Sequence, residues 1–145
     1  MAEESAITPI ETVQDWLDHI EPLRLTMKLH EHARLWFRGH SDHKWKLHPG
    51  VYRDDFPTAG GTEEDRLLVE RHLTQDFRAM SAGIRSPLTN DVDLYLLQQH
   101  YGTPTRLLDW TSDALGALSF SVADKRFWEV DGSVLMLDAY QFLWF

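Results

Sequence analysis

Only two segments of this 145-residue chain read as β-strands, and most of the chain lies between them. Ala33–Phe37, ARLWF, is short and increasingly apolar and leads into Arg38–Gly39. Gly132–Leu137, GSVLML, reads as a buried strand. One or two strands make a weak sheet, so helices must supply the rest of the core. Val13, Trp16, Leu17 and Ile20 recur at helical spacing, which predicts a helix over about Glu11–Leu25, opened by Thr8 and Pro9. Thr62 with Asp65 three residues on is a capping-box start for a helix to about Ala82, with Val69, Leu73, Phe77 and Met80 as its apolar stripe. Asn90, followed by Asp93, caps a helix over about Asp91–Tyr101, and Gly102 stops it. Ser112 caps a short helix through Val122. Between Gly39 and Gly61 the chain is rich in Gly, Pro, His and Asp and reads as a long loop with a short turn near Val51–Arg53. This order predicts the α+β class: a single compact domain with a small sheet packed by several helices. Residues 1–33 form its N-terminal helical segment and 34–145 pack as one unit.

Composition narrows the function classes. Hydrophobic residues at 43% and charged residues at 26% are ordinary for a globular protein and exclude disordered and fibrous classes. There is no cysteine, so disulfides, thiolate metal sites and a Cys nucleophile are excluded. A net charge of −9 opposes non-specific coating of nucleic acid or anionic membrane. The acidic N-terminus lacks a signal sequence, and no apolar run approaches the roughly 18 residues of a membrane span. The expected location is cytoplasmic. The chain closes on QFLWF, which either packs back on the core or continues into a larger protein.

Two segments stand apart from a generic core. Between Arg34 and Arg53 there are five Lys or Arg against one Asp, so the stretch is strongly basic in an acidic chain. Arg38 at a strand end, followed by Gly39 where backbone can approach a ligand, suits a grip on phosphate or carboxylate; the alternative is a surface loop with Arg38 in a structural ion pair. The second segment is Leu97–Thr111, LQQHYGTPTRLLDWT. Arg106 is the only Lys or Arg between Arg85 and Lys125 and must be paired if buried, with Asp109 the obvious acid. His100, Tyr101, Thr105 and Thr111 add hydrogen-bonding groups. They form either a polar pocket or a bridge that pins the loop. His40-x-x-His43, His48 and His30-x-His32 lack a strong metal-ligand pattern, so no metal is expected. There is no G-x-S-x-G, Walker loop or G-x-G-x-x-G.

Together the two segments resemble the FRG domain family. Phe37-Arg38-Gly39 and Trp45-Lys46-Leu47-His48-Pro49-Gly50, followed by Arg53, are similar to the family's opening. Gln99–Thr111, QHYGTPTRLLDWT, is similar to its second signature without a gap, and Ala117-Leu118-Ser119-Phe120 to a third. The resemblance spans about Leu35–Val122 and implies a bacterial or phage-associated module. It also implies that Arg38, His100, Thr105, Arg106 and Asp109 belong to one shared site or one shared structural lock. The expected function is an enzyme-like domain that binds an anionic, nucleotide-type ligand. Its specific form is ADP-ribosyltransferase-like chemistry on NAD. In that form Arg38 holds a phosphate, Tyr101 or Trp110 stacks on a ring, and His100 bonds a ribose hydroxyl. Arg106 and Glu129 complete the catalytic set, while Gly39, Arg53, Thr105, Asp109 and Thr111 line the ligand. Arg38 and Arg106 are expected near one concave site. Two alternatives stay open: a non-catalytic module that recognises a protein or small anion and relays a signal, and a nuclease or phosphodiesterase using the loop histidines.

Overall fold

Arg38 and Gly39 do not end a strand; they continue it. In a computed structural model that describes residues 9–27, 35–56, 61–83 and 90–139, strand β1 runs Leu35–His40. It pairs antiparallel with β2, Ser133–Asp138, in a register that sets Phe37 opposite Met136 and Arg38 opposite Leu135. Arg, Gly and His favour strands poorly, but full-length pairing with β2 outweighs that local preference. The described residues also hold four α-helices: α1 Val13–Met27, α2 Glu63–Met80, α3 Asp91–His100 and α4 Ala114–Val122. Single 3₁₀ turns occupy Gly50–Tyr52 and Lys125–Phe127. The protein is α+β.

The chain divides into two compact units. One, the sheet unit, comprises Met1–Trp45 and Trp110–Phe145; the other, the helical unit, is Lys46–Asp109.

In the sheet unit, α1 begins later than its apolar spacing suggests. Thr12 accepts from the Asp15 amide at 3.0 Å, and the Asp15 carboxylate accepts from the Thr12 amide at 2.8 Å, a reciprocal cap. Thr12 therefore opens the helix; Thr8 lies outside the described residues. Trp16 and Ile20 are buried with Phe37, Ala114 and Ala117 in the unit's core. Val13 and Leu17, expected on that face, are 57% and 41% exposed. The Trp16 indole donates to the Ala114 carbonyl at 3.0 Å and meets the Phe37 ring edge-on at 6.2 Å. Asp113, not Ser112, caps α4: its carboxylate accepts the Leu115 amide at 3.0 Å, while the Thr111 hydroxyl takes the Asp113 amide at 3.0 Å. Ser112 is thus carried past as a linker. The expectations for His30, His32, Ala33, Arg34 and the closing QFLWF lie outside the described residues.

In the helical unit the local signals hold. Thr62 and Asp65 make the capping box of α2. Asn90 caps α3, accepting the Asp93 amide at 2.8 Å. After α3, Gly102 adopts φ +81, its amide donates to Gln99 O at 2.9 Å, and the Thr103 amide donates to Gln98 O at 3.1 Å. That pair of bonds is a Schellman stop, and the left-handed position explains the glycine. The buried stripe of α2 differs from expectation at its C-terminal end, where Met80 is 75% exposed. Its single fully buried side chain is an acid, Glu70, at 3% exposure. Among the described residues no helix is long and apolar enough to cross a membrane.

Candidate functional site

Strand alternation splits the Phe37-Arg38-Gly39 triplet between two faces. Phe37 is fully buried in the sheet unit's core. Two residues on, Gly39 lies on that same face against α4. A Cβ built on it would stand 2.0 Å from the Ala117 carbonyl oxygen and 2.7 Å from the Ser121 amide nitrogen. The close backbone approach that the sequence suggested for a ligand is taken by a helix. On the opposite face Arg38, half-buried, donates from Nε to His40 Nε2 at 3.2 Å. His40 is buried and meets Trp45 with ring centres 6.0 Å apart; Trp45 in turn packs edge-on against Phe127 at 4.9 Å. Because the guanidinium can only donate, His40 Nε2 accepts, so the proton of the neutral ring sits on Nδ1. Thr111 joins this unit from its other motif by a two-bond bridge to Phe37, at 2.7 and 2.9 Å. Trp110 is half-buried beside it in sequence, and Glu129 is exposed in the turn after Lys125–Phe127.

The remaining predicted residues fall in the helical unit. Arg53 and His100 are exposed; Tyr101 is 69% exposed, its ring edge-on to His100 at 5.5 Å and tilted against Phe77 at 6.1 Å. Thr105 is fully buried. Its hydroxyl donates to Gln99 Oε1 and accepts from the Leu107 amide at 3.2 Å, and its carbonyl accepts the Val51 amide at 3.3 Å. The Gln99 amide then donates to both Asp109 oxygens at 3.1 Å. Gln99, Thr105 and Asp109 thus form a chain of bonds across one loop, and Gly50 sits under it, since a Cβ there would be 3.1 Å from Pro104 Cα.

Arg106 needs an acid, as its sequence context requires, but the acid is not Asp109. Its Nε pairs with Glu70 Oε2 at 2.7 Å. The other Glu70 oxygen accepts the Tyr95 hydroxyl, which itself accepts the Arg106 backbone amide at 2.9 Å. The correction has a geometric cause. Asp109 is occupied by Gln99, whereas Glu70 points from the buried face of α2 toward the Arg106 loop. Glu70 and Tyr95 were invisible to motif reasoning; the one available signal was an acid at a stripe position of α2, three residues before Leu73. Partial burial works against the Arg106 charge, but the Glu70 carboxylate and the Tyr95 hydroxyl outweigh it and hold the guanidinium above its ordinary value. Burial, then the bond to Glu70, pushes the Tyr95 hydroxyl above the usual tyrosine range. The Arg106 side chain remains 49% exposed while Glu70 is almost wholly covered. A buried carboxylate therefore fixes one edge of a fork whose side chain still reaches solvent.

Close by, the Tyr52 hydroxyl donates to Glu63 at 2.7 Å, and Arg66 lies over the Tyr52 ring at 5.9 Å while donating to the Val51 carbonyl at 2.7 Å. The bond to Glu63, followed by burial, raises the Tyr52 hydroxyl above its ordinary value; the charges of Arg106 and Glu70 also act on it. Among the described residues, no group of three or more His, Asp or Glu gathers as metal ligands would.

No curated protein and no solved structure matches the chain. The family description of the FRG domain matches residues 33–128, which takes in β1, α2, α3, α4 and the whole Arg106–Glu70–Tyr95 cluster. With two thirds of its length so matched, the chain belongs to the FRG domain family.

Proposed function

We propose that this FRG domain binds a small anionic ligand of nucleotide type, gripped by Arg106. One observation carries the reading: the guanidinium is oriented through Nε by the buried Glu70 while half its side chain stays exposed. A fork held by one edge presents its other nitrogens for two parallel bonds to phosphate or carboxylate, which a freely rotating cation cannot do as well. His100 and Tyr101, exposed at the end of α3, supply a hydrogen-bonding ring and a stacking surface for a base or sugar. The most specific form of this reading is ADP-ribosyltransferase-like chemistry on NAD.

Thermal-shift titration against NAD, ADP-ribose, nucleotides and divalent metals tests it. Several degrees of stabilisation by NAD or a nucleotide is expected, as mass action on the folded state requires, and loss of that shift in Arg106→Gln. Stabilisation by metal alone would favour the phosphodiesterase reading. Silence across the panel would favour a non-catalytic recognition module. That second reading has its own support, since Gln99, Thr105 and Asp109 spend their polar atoms on one another.

A further inference from the structure

Glu63 and Glu70 lie seven residues apart on α2, two turns and about 10 Å along the axis. That spacing returns both to nearly the same face of the helix. At one end, Glu70 holds Arg106 at 2.7 Å. At the other, Glu63 is exposed and receives the Tyr52 hydroxyl on one oxygen, Oε1, at 2.7 Å. Tyr52 is itself steadied by Arg66 over its ring. Its hydroxyl feels the charges of both Arg106 and Glu70, so the two ends form one electrostatic neighbourhood.

The two ends suit opposite chemistry. An oriented guanidinium attracts phosphate. A carboxylate with one oxygen already fixed by a tyrosine is an acceptor held in place for a pair of hydroxyl donors, and it repels phosphate. A simple anion would use only the Arg106 end. A ligand using both must carry a phosphate and, several ångströms away, a vicinal diol.

We propose that Glu63, positioned by Tyr52, reads the vicinal diol of a ribose whose phosphate is held by Arg106. The ligand class is thereby a ribose phosphate, free or within a nucleoside diphosphate, rather than a bare anion. The proposal rests on the reading of Arg106 as the anion grip and adds the second contact.

Calorimetric titration of the full chain with ADP, its 2′,3′-dideoxy analogue, ribose 5-phosphate and inorganic pyrophosphate tests it. Removing the diol should weaken ADP binding at least tenfold, the loss expected for hydrogen bonds to a charged group. Glu63→Gln should erase that difference without weakening pyrophosphate binding, and Tyr52→Phe should reduce it. Arg106→Gln should weaken all four probes. Ribose 5-phosphate binding as tightly as ADP would assign the affinity to the ribose phosphate alone and still support the diol contact. Equal binding of ADP and its dideoxy analogue to the wild type would overturn the Glu63 role, as would a difference that persists in Glu63→Gln. In either case pyrophosphate binding that depends on Arg106 would leave the anion grip standing. Failure of all four probes to bind would overturn both.

Discussion

The sheet unit holds the Phe37-Arg38-Gly39 triplet and the helical unit holds Gln99–Asp109, and each is held by different forces. In the sheet unit, Phe37 fills the core and Gly39 makes room for α4; the motif there is mostly volume. In the helical unit, Gln99, Thr105, Arg106 and Asp109 are held by side-chain hydrogen bonds and an ion pair reaching back to Glu70. A motif of volume tolerates the loss of a polar group but not an added methyl. A motif of bonds tolerates small changes of shape but not an orphaned donor or acceptor. Substitutions that add bulk should therefore damage the first unit more, and substitutions that remove one polar atom the second.

The largest effect should come from Gly39→Ala. Its methyl would meet backbone atoms of α4 at 2.0 and 2.7 Å, and backbone cannot swing aside as a flexible side chain can. The cost should be at least about 3 kcal/mol, the upper part of the range for overpacking. The five tryptophans among the described residues, Trp16, Trp36, Trp45, Trp110 and Trp128, all belong to the sheet unit, so a denaturant titration followed by tryptophan fluorescence reads this loss directly. A variant that unfolds at the wild-type midpoint would show that α4 can lift away and that the motif is not one of volume.

Thr105→Val is the matching test in the helical unit. It conserves shape but removes the hydroxyl that joins Gln99 to the Leu107 amide. At a fully buried position this should cost about 1–3 kcal/mol, with Thr105→Ser recovering most of it. Equal stability of all three proteins would show that the bonds are incidental and that Thr105 is there for its size.

Arg38 is the polar exception inside the motif of volume. Arg38→Ala removes the donor to the buried His40 ring and should cost about 1 kcal/mol. Lys should restore less than half of that, because an ammonium cannot offer the same Nε edge. Melting curves with and without NAD separate the alternatives. If Arg38→Ala keeps the wild-type melting temperature and loses only the ligand shift, Arg38 is a ligand anchor and not part of the strand's own structure.

How far the sequence foretells this difference depends on distance along the chain. The caps at Thr62, Asn90 and Gly102 are legible because each is completed within three or four residues. Thr12 is equally local, its cap completed by Asp15 three residues on. Family membership is legible for the same reason, through unbroken runs of residues. What is not legible depends on partners far away. That Arg106 needs an acid follows from its apolar surroundings, but the choice of Glu70 over the nearer Asp109 is made by the packing of α2 beside its loop. That Gly39 admits a close approach follows from its missing side chain, but helix and ligand ask the same of a glycine. The extension of β1 through Arg38 and His40 is likewise decided by β2, nearly a hundred residues on.

The smallest expected effect contrasts the units through pH. Three of the four tyrosines, Tyr52, Tyr95 and Tyr101, lie in the helical unit, and the sheet unit has none among its described residues. Burial and the Glu70 bond raise the Tyr95 hydroxyl; the Glu63 bond and burial raise that of Tyr52. A hydroxyl whose value is higher in the folded than in the unfolded chain stabilises the fold at all pH below the unfolded value, about 10. As pH rises past that point the unfolded chain sheds its proton first, and the stability is lost progressively up to the folded value. The helical unit should therefore weaken above about pH 10 through these two groups. Tyr95→Phe should flatten part of that slope, although it also removes the bonds to Glu70 and to the Arg106 amide. Tyrosinate absorbance follows the helical unit and tryptophan fluorescence the sheet unit, so one alkaline titration reads both. Tyrosines that ionise together at the ordinary value would show that the Glu70 and Glu63 bonds do not hold in solution. The contrast between a unit of volume and a unit of bonds would then fail at its most exposed point.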